Sequence, residues 1–118
     1  IVDRILHSGL LSALVACLDM RASLCVQSGQ TNRAKQLYSR SLELSKTNPE
    51  MDLGLAYTNL ASVCQLTGDA VNAVELHVAA LTWREKHLGP DHEAITSSLA
   101  SLGAALLAVG LWREALYT

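Results

Sequence analysis

The sequence predicts an all-α fold, an α-solenoid of antiparallel helix pairs, and three observations carry that prediction. Half of the 118 residues are hydrophobic, yet there is no Phe and the apolar mass lies in Leu, Ala and Val, which suits helix packing better than a β-sandwich. Glycines recur in one register: Gly29, Gly68 and Gly110 are separated by 39 and 42 residues, and Ala34, Ala73 and Ala115 follow at the same two spacings. Upstream of each glycine, large, small and large residues come in a fixed order: Leu18, Tyr57 and Leu99, then Ala22, Ala61 and Gly103, then Cys25, Cys64 and Leu106. Arg21, opposite Leu60 and Leu102, is the clearest exception.

Taken in order, residues 1–9 read as the tail of a preceding second helix. The first repeat, about 10–48, opens with a helix over 10–28, where Leu11, Leu14, Val15, Leu18, Ala22 and Cys25 recur at spacings of three and four. Gly29 stands where a left-handed residue must end that helix, and a second helix is expected over 31–46. The second repeat, about 49–90, is announced by Asn48-Pro49-Glu50: an N-cap residue, a proline for the first helical position and an acid for the first turn of a helix over 50–67. After Gly68, the Asp69 carboxylate is placed to accept from the first amides of a helix over 70–87, in which His77, Ala80 and Leu81 align with Tyr38, Ser41 and Leu42. The third repeat, 91–118, is incomplete: a helix over 92–109, a turn at Gly110, and the start of another helix near Trp112.

Leu42 and Gly68 are 26 residues apart, whereas Leu81 and Gly110 are 29 apart. The difference falls in the joint between one pair and the next, where loops accept it most easily. The whole chain therefore reads as one repeat array, 1–118, cut from a longer one. Apolar surface is expected at both ends, around Ile1, Ile5 and Leu6 and around Leu111, Trp112 and Leu116, because terminal repeats need a polar cap.

Composition narrows the function classes. Nine basic and eleven acidic residues give a formal charge of −2 with no long run of either sign, so the electrostatic footprint of a nucleic-acid binder is missing. Cys17, Cys25 and Cys64 are odd in number and lack metal-ligand spacing, which points away from a disulfide framework or structural zinc and towards a reducing, cytoplasmic setting. The longest apolar run, Gly9 to Leu18, is short for a bilayer span, so no membrane partner is expected.

These helix pairs, with large-small-large residues in the first helix, a glycine turn and then an alanine, resemble the tetratricopeptide repeat. The segment Leu81-Thr82-Trp83-Arg84-Glu85-Lys86-His87-Leu88-Gly89-Pro90-Asp91-His92 is similar to the joint of the longer, 42-residue form found in kinesin light chains and nephrocystin-3-like proteins, with Glu93 in place of that form's final proline. The resemblance covers about Leu10 to Thr118. It implies a right-handed superhelix whose concave groove is lined by first helices and binds a peptide or protein segment. Asparagines in groove columns would hydrogen-bond an extended peptide backbone. The matching positions here are Asp19 and Met20, Thr58 and Asn59, Ala100 and Ser101, and one turn further Ser23, Ser62 and Ala104, then Val26, Gln65 and Leu107. From these, Asp19, Met20, Ser23, Thr58, Asn59, Ser62, Gln65 and Ser101 form the candidate peptide-binding set. Only Asn59 keeps the amide, and the basic clamp of carboxylate-binding members is missing, since Arg33, Lys35, Arg40, Lys46, Arg84, Lys86 and Arg113 fall on second helices or their ends.

The decapeptide from Arg84 to Glu93 carries two histidines and enough acids to suggest a metal or acid/base site. A joint accounts for the same residues: Gly89 stops one helix, Asp91 caps the next and Glu93 complements its dipole. Cys25 and Cys64 share a column with Leu106 and are expected in the core, as are Trp83 and Trp112. No phosphate loop, nucleophile elbow or zinc-protease motif occurs. The expected function is a non-catalytic protein–protein interaction scaffold with no cofactor and no metal. The alternative is self-association through the terminal helices, or service as the sensor arm of a larger protein.

Overall fold

The computed structural model describes the backbone of residues 2–48, 51–89 and 92–117, and the side chains of 9–48, 51–89 and 92–110. Five helices follow one another: α1 (Val2–Gln27), α2 (Thr31–Ser45), α3 (Leu53–Leu66), α4 (Ala70–Leu88) and α5 (Glu93–Tyr117). Among the described residues there is no strand.

The two helix-pair turns are built alike. Gly29 and Gly68 both adopt φ +83°, which an L side chain takes only with strain. At the first, the Gln30 amide donates to the Cys25 carbonyl at 2.7 Å and the Gly29 amide to Val26 at 3.1 Å; at the second, Asp69 donates to Cys64 at 2.8 Å and Gly68 to Gln65 at 3.2 Å. This 6→1 and 5→2 pairing satisfies carbonyls that the helix end would leave open.

Gly110 departs from the expectation. It lies inside α5, without positive φ, and the helix continues to Tyr117. Continuation keeps the intrahelical hydrogen bonds unbroken, and a glycine inside a helix costs only about 1 kcal/mol relative to alanine. The N-terminal end is also longer than expected, since residues 2–9 extend α1 rather than ending a separate helix.

The joints differ as well. Helix α3 starts at Leu53 with Asp52 as its N-cap, the carboxylate accepting from the Leu55 amide at 3.0 Å, so the start lies later than the Asn48-Pro49-Glu50 signal placed it. Pro49, Glu50, Pro90 and Asp91 lie outside the described residues. Gly89, at φ +86°, ends α4, and the His92 ring accepts from the Ala94 amide through Nδ1 at 3.0 Å as α5 begins. Asp69 makes no capping bond to the first turn of α4; its carboxylate is taken by the side chains of Asn72 and Lys35, the latter reaching over from α2 at 3.3 Å.

Packing runs mainly between neighbours. It is closest within the pairs α1–α2 and α3–α4, and α4–α5 and α2–α3 join the pairs, while α1 and α3 scarcely touch directly. A layer of first helices thus stands on a layer of second helices, in a slab 61 × 36 × 18 Å. Ala22, Ala34, Ala61 and Ala73 are fully buried, which brings the backbones of each pair close. Ala22, Ala34 and Ala73 share one core cluster with Tyr38, Leu42, Ala56, Leu60, Val63 and Cys64.

The repeat register determines which apolar residues stay exposed. In α3 and α5 the face made by Ala56, Leu60 and Val63, or by Ile95, Ser98 and Ala105, is buried against the second helix before it. The same face of α1 carries Leu14, Cys17, Arg21 and Leu24, and all four are exposed, so the odd arginine of the repeat stands where no helix covers it. Conversely Leu99 and Leu106 of α5 are 53% and 51% exposed, although Tyr57 and Cys64 in their columns pack on α4. Apolar surface is therefore present at both ends, on these residues; the side chains first expected to provide it, in 1–8 and 111–118, lie outside the described set.

By length and composition two helices are apolar enough to cross a membrane, over Gly9–Gln27 and Glu93–Gly110, a property hidden in the sequence because polar residues interrupt the apolar runs. Asp19 and Arg21 lie within the first of them, and each would cost about 3 kcal/mol at a bilayer centre. The hydropathy has a local origin, because both helices carry apolar residues on the face turned to a neighbour and on a bare one.

Candidate functional site

The candidate residues stand on the first helices, and the structure divides them into two kinds. Met20, Ser62 and Gln65 are exposed, and Asn59 and Ser101 are half-buried on the same columns of α3 and α5. Asp19 and Ser23 turn instead towards α2. Asp19 accepts from the buried hydroxyl of Ser41 at 2.7 Å. The Tyr38 hydroxyl titrates above its usual range because it is buried, with Asp19 adding to the rise and a hydrogen bond to Ser23 opposing it. Thr58 and Ser62 donate to carbonyls of their own helix, Gly54 and Thr58, at 2.8 and 3.0 Å, which leaves only their lone pairs for a ligand.

The face is neutral and partly apolar, with Met20 67%, Leu66 62% and Leu107 70% exposed along it. Beside it, where α1 and α3 diverge, lies a half-open cleft of about 160 Å³ lined by Ser12, Val15, Ala16 and Asp19 of α1, Ser45 at the end of α2, Met51 of the joint, and Asp52, Leu55 and Ala56. No sequence pattern singled out this cleft, although Asp52, standing immediately before the apolar run that starts at Leu53, was a readable cap.

The basic residues keep away from this face. Lys35 pairs with Asp69 and Lys46 with Glu43, both at 3.3 Å. Arg84 crosses the Cα of Gly54, where an added Cβ would meet its Nε at 2.7 Å, and donates to the buried Ser98 hydroxyl of α5. This tie across α3, α4 and α5 was not legible in sequence, since it depends on a missing side chain in one helix and a hydroxyl in another.

At the joint from Arg84 to Glu93 the histidines are engaged locally. His87 stacks on Trp83 with ring centroids 4.3 Å apart and meets the Trp83 carbonyl through Nδ1 at 2.9 Å; His92 serves the Ala94 amide. Among the described residues no three His, Cys, Asp or Glu side chains gather as metal ligands. Trp83 is half-buried on the flank of α4 rather than in the core, and the Trp112 side chain lies outside the described residues. Of the cysteines, Cys17 is exposed, Cys25 half-buried and Cys64 buried, and burial pushes the Cys64 thiol up, which makes it a poor nucleophile.

A family model described as tetratricopeptide repeat matches residues 52–118, which spans α3, α4 and α5 and more than half of the chain. No curated protein matches the chain. Repeats of this family generally act as non-catalytic mediators of protein–protein interaction. With its paired helices, its two matching glycine turns and that match, the chain belongs to the tetratricopeptide repeat family.

Proposed function

We propose that the chain is a protein–protein interaction scaffold that holds a peptide or an extended protein segment along the first helices, in a reducing, intracellular setting. The observation that carries this reading is the row of uncharged side chains that recurs one column per repeat on α1, α3 and α5, with exposed Met20 and half-buried Asn59 and Ser101 in register. Asn59 supplies donor and acceptor for a peptide backbone, and the exposed apolar residues beside it supply area. Saturable binding of capped peptides from a random library to the monomer is expected, weakened about tenfold by Ser62→Arg, as a bulky charge in the row would do. Unchanged binding in that variant would exclude the row as the contact surface. Self-association is a second reading, favoured by the bare faces of α1 and α5. It predicts a mass that rises with concentration in analytical ultracentrifugation.

A further inference from the structure

The cleft between α1 and α3 has a chemistry that the rest of the first-helix face lacks. Its walls are apolar, from Val15, Ala16, Met51, Leu55 and Ala56, yet two carboxylates, Asp19 and Asp52, stand in the lining. Both are already fixed. One oxygen of Asp19 takes the Ser41 hydroxyl, and one oxygen of Asp52 takes the Leu55 amide. Among the described residues neither carboxylate makes an ion pair: Arg21, two residues beyond Asp19, is exposed, Lys46, the base nearest Asp52 along the chain, is paired with Glu43, and Arg84, which shares the surface of Gly54 with the Asp52 carboxylate, donates to Ser98.

Two negative groups beside an apolar wall, preorganised and without an ion-pair partner, select a ligand that is long, aliphatic and cationic at one end, because such a side chain buries its stem while its head satisfies the charge. The volume suits one side chain, since a cavity of about 150 Å³ holds a benzene-sized group. A divalent metal fits less well, because two carboxylates that each already accept a hydrogen bond fall short of the six or more oxygens that a hard cation takes. We propose that this cleft takes the side chain of an arginine or lysine from a bound peptide, its stem against Val15, Ala16 and Leu55 and its charged end between Asp19 and Asp52.

The proposal deepens the peptide-binding reading and rests on it, so the test separates the two. The full chain is screened against capped random nonapeptides, and its amide spectrum is titrated separately with n-butylguanidinium. The expected result is enrichment of one Arg or Lys position among bound peptides and butylguanidinium shifts at Ala16, Asp19 and Leu55. Affinity should fall about fivefold or more in the double variant D19N/D52N, in line with two partly screened ion pairs. These variants keep the Ser41 bond and the helix cap, because an amide oxygen accepts as a carboxylate does. Ala16→Leu, on an exposed position of α1, should fill the cleft and abolish the basic preference with helicity unchanged. Peptides that bind without basic enrichment and equally well in D19N/D52N overturn the proposal and leave the groove reading standing. Butylguanidinium shifts lost in D19N/D52N without binding of any peptide overturn the groove reading and keep the basic pocket. Silence in both arms overturns both.

Discussion

His77 fills the column that Tyr38 fills one repeat earlier, but it is only 2% exposed and its Nε2 has no hydrogen-bond partner among the described residues. Burial, with Arg84 adding to it, holds the imidazole below its ordinary value of 6.5. The unfolded chain then takes up a proton that the folded one refuses. The stability that His77 contributes is complete above about pH 6.5 and is lost as pH falls from there through the folded value. Urea midpoints should decline over that interval. His77→Tyr should flatten the decline, since a tyrosine there would stand opposite Ser62 as Tyr38 stands opposite Ser23. A midpoint equally steep in pH for the variant would assign the slope to other groups. The column was readable from spacing alone, whereas the orphaned nitrogen depends on what surrounds the ring in three dimensions.

Among the elements, the turns were the most legible and the joints the least. Spacing predicted Gly29 and Gly68 as helix ends because a glycine recurring with an alanine five residues later marks the same backbone reversal each time, and both turns close with the same pair of hydrogen bonds. Gly68→Ala should therefore cost about 1–2 kcal/mol, the penalty for a left-handed residue with a Cβ, readable as a lower melting temperature. Gly110→Ala should instead be neutral or stabilising by up to about 1 kcal/mol if α5 stays straight, because glycine inside a helix is unfavourable. The same signal at Gly110 misled because a glycine permits a turn without enforcing one, and the return helix must gain enough burial to hold it. At the joints, the proline and acid after Asn48 looked like a start, but the cap that forms is Asp52, directly ahead of the apolar run that buries. Repeat comparison cannot place a cap in a joint that differs in length from its counterpart.

At the scale of the molecule, the register that builds the interior also decides what the ends expose. The forward face of α1 and the rear face of α5 are homologous to surfaces that α3 buries, and each is bare. Arg21 makes the forward face less apolar than its counterparts at Leu60 and Leu102. Arg21→Leu should raise self-association, seen as a larger weight-average mass at a given concentration in sedimentation equilibrium, and an unchanged mass would clear this face of any part in it. The candidate groove was legible as a set of columns but not as chemistry: sequence placed Asp19 and Ser23 beside Met20, and the fold turns them to Ser41 and Tyr38. The cleft escaped notice because its lining comes from α1, the end of α2, a joint and the start of α3. Since α1 and α3 meet almost entirely through α2, the span between neighbouring columns of the groove is an elastic quantity set by one intervening helix and one short joint. An extended ligand would then work as a gauge: bound across both repeats, it fixes the pitch of the solenoid, and a stiffer or looser joint would change affinity at residues that the ligand never touches.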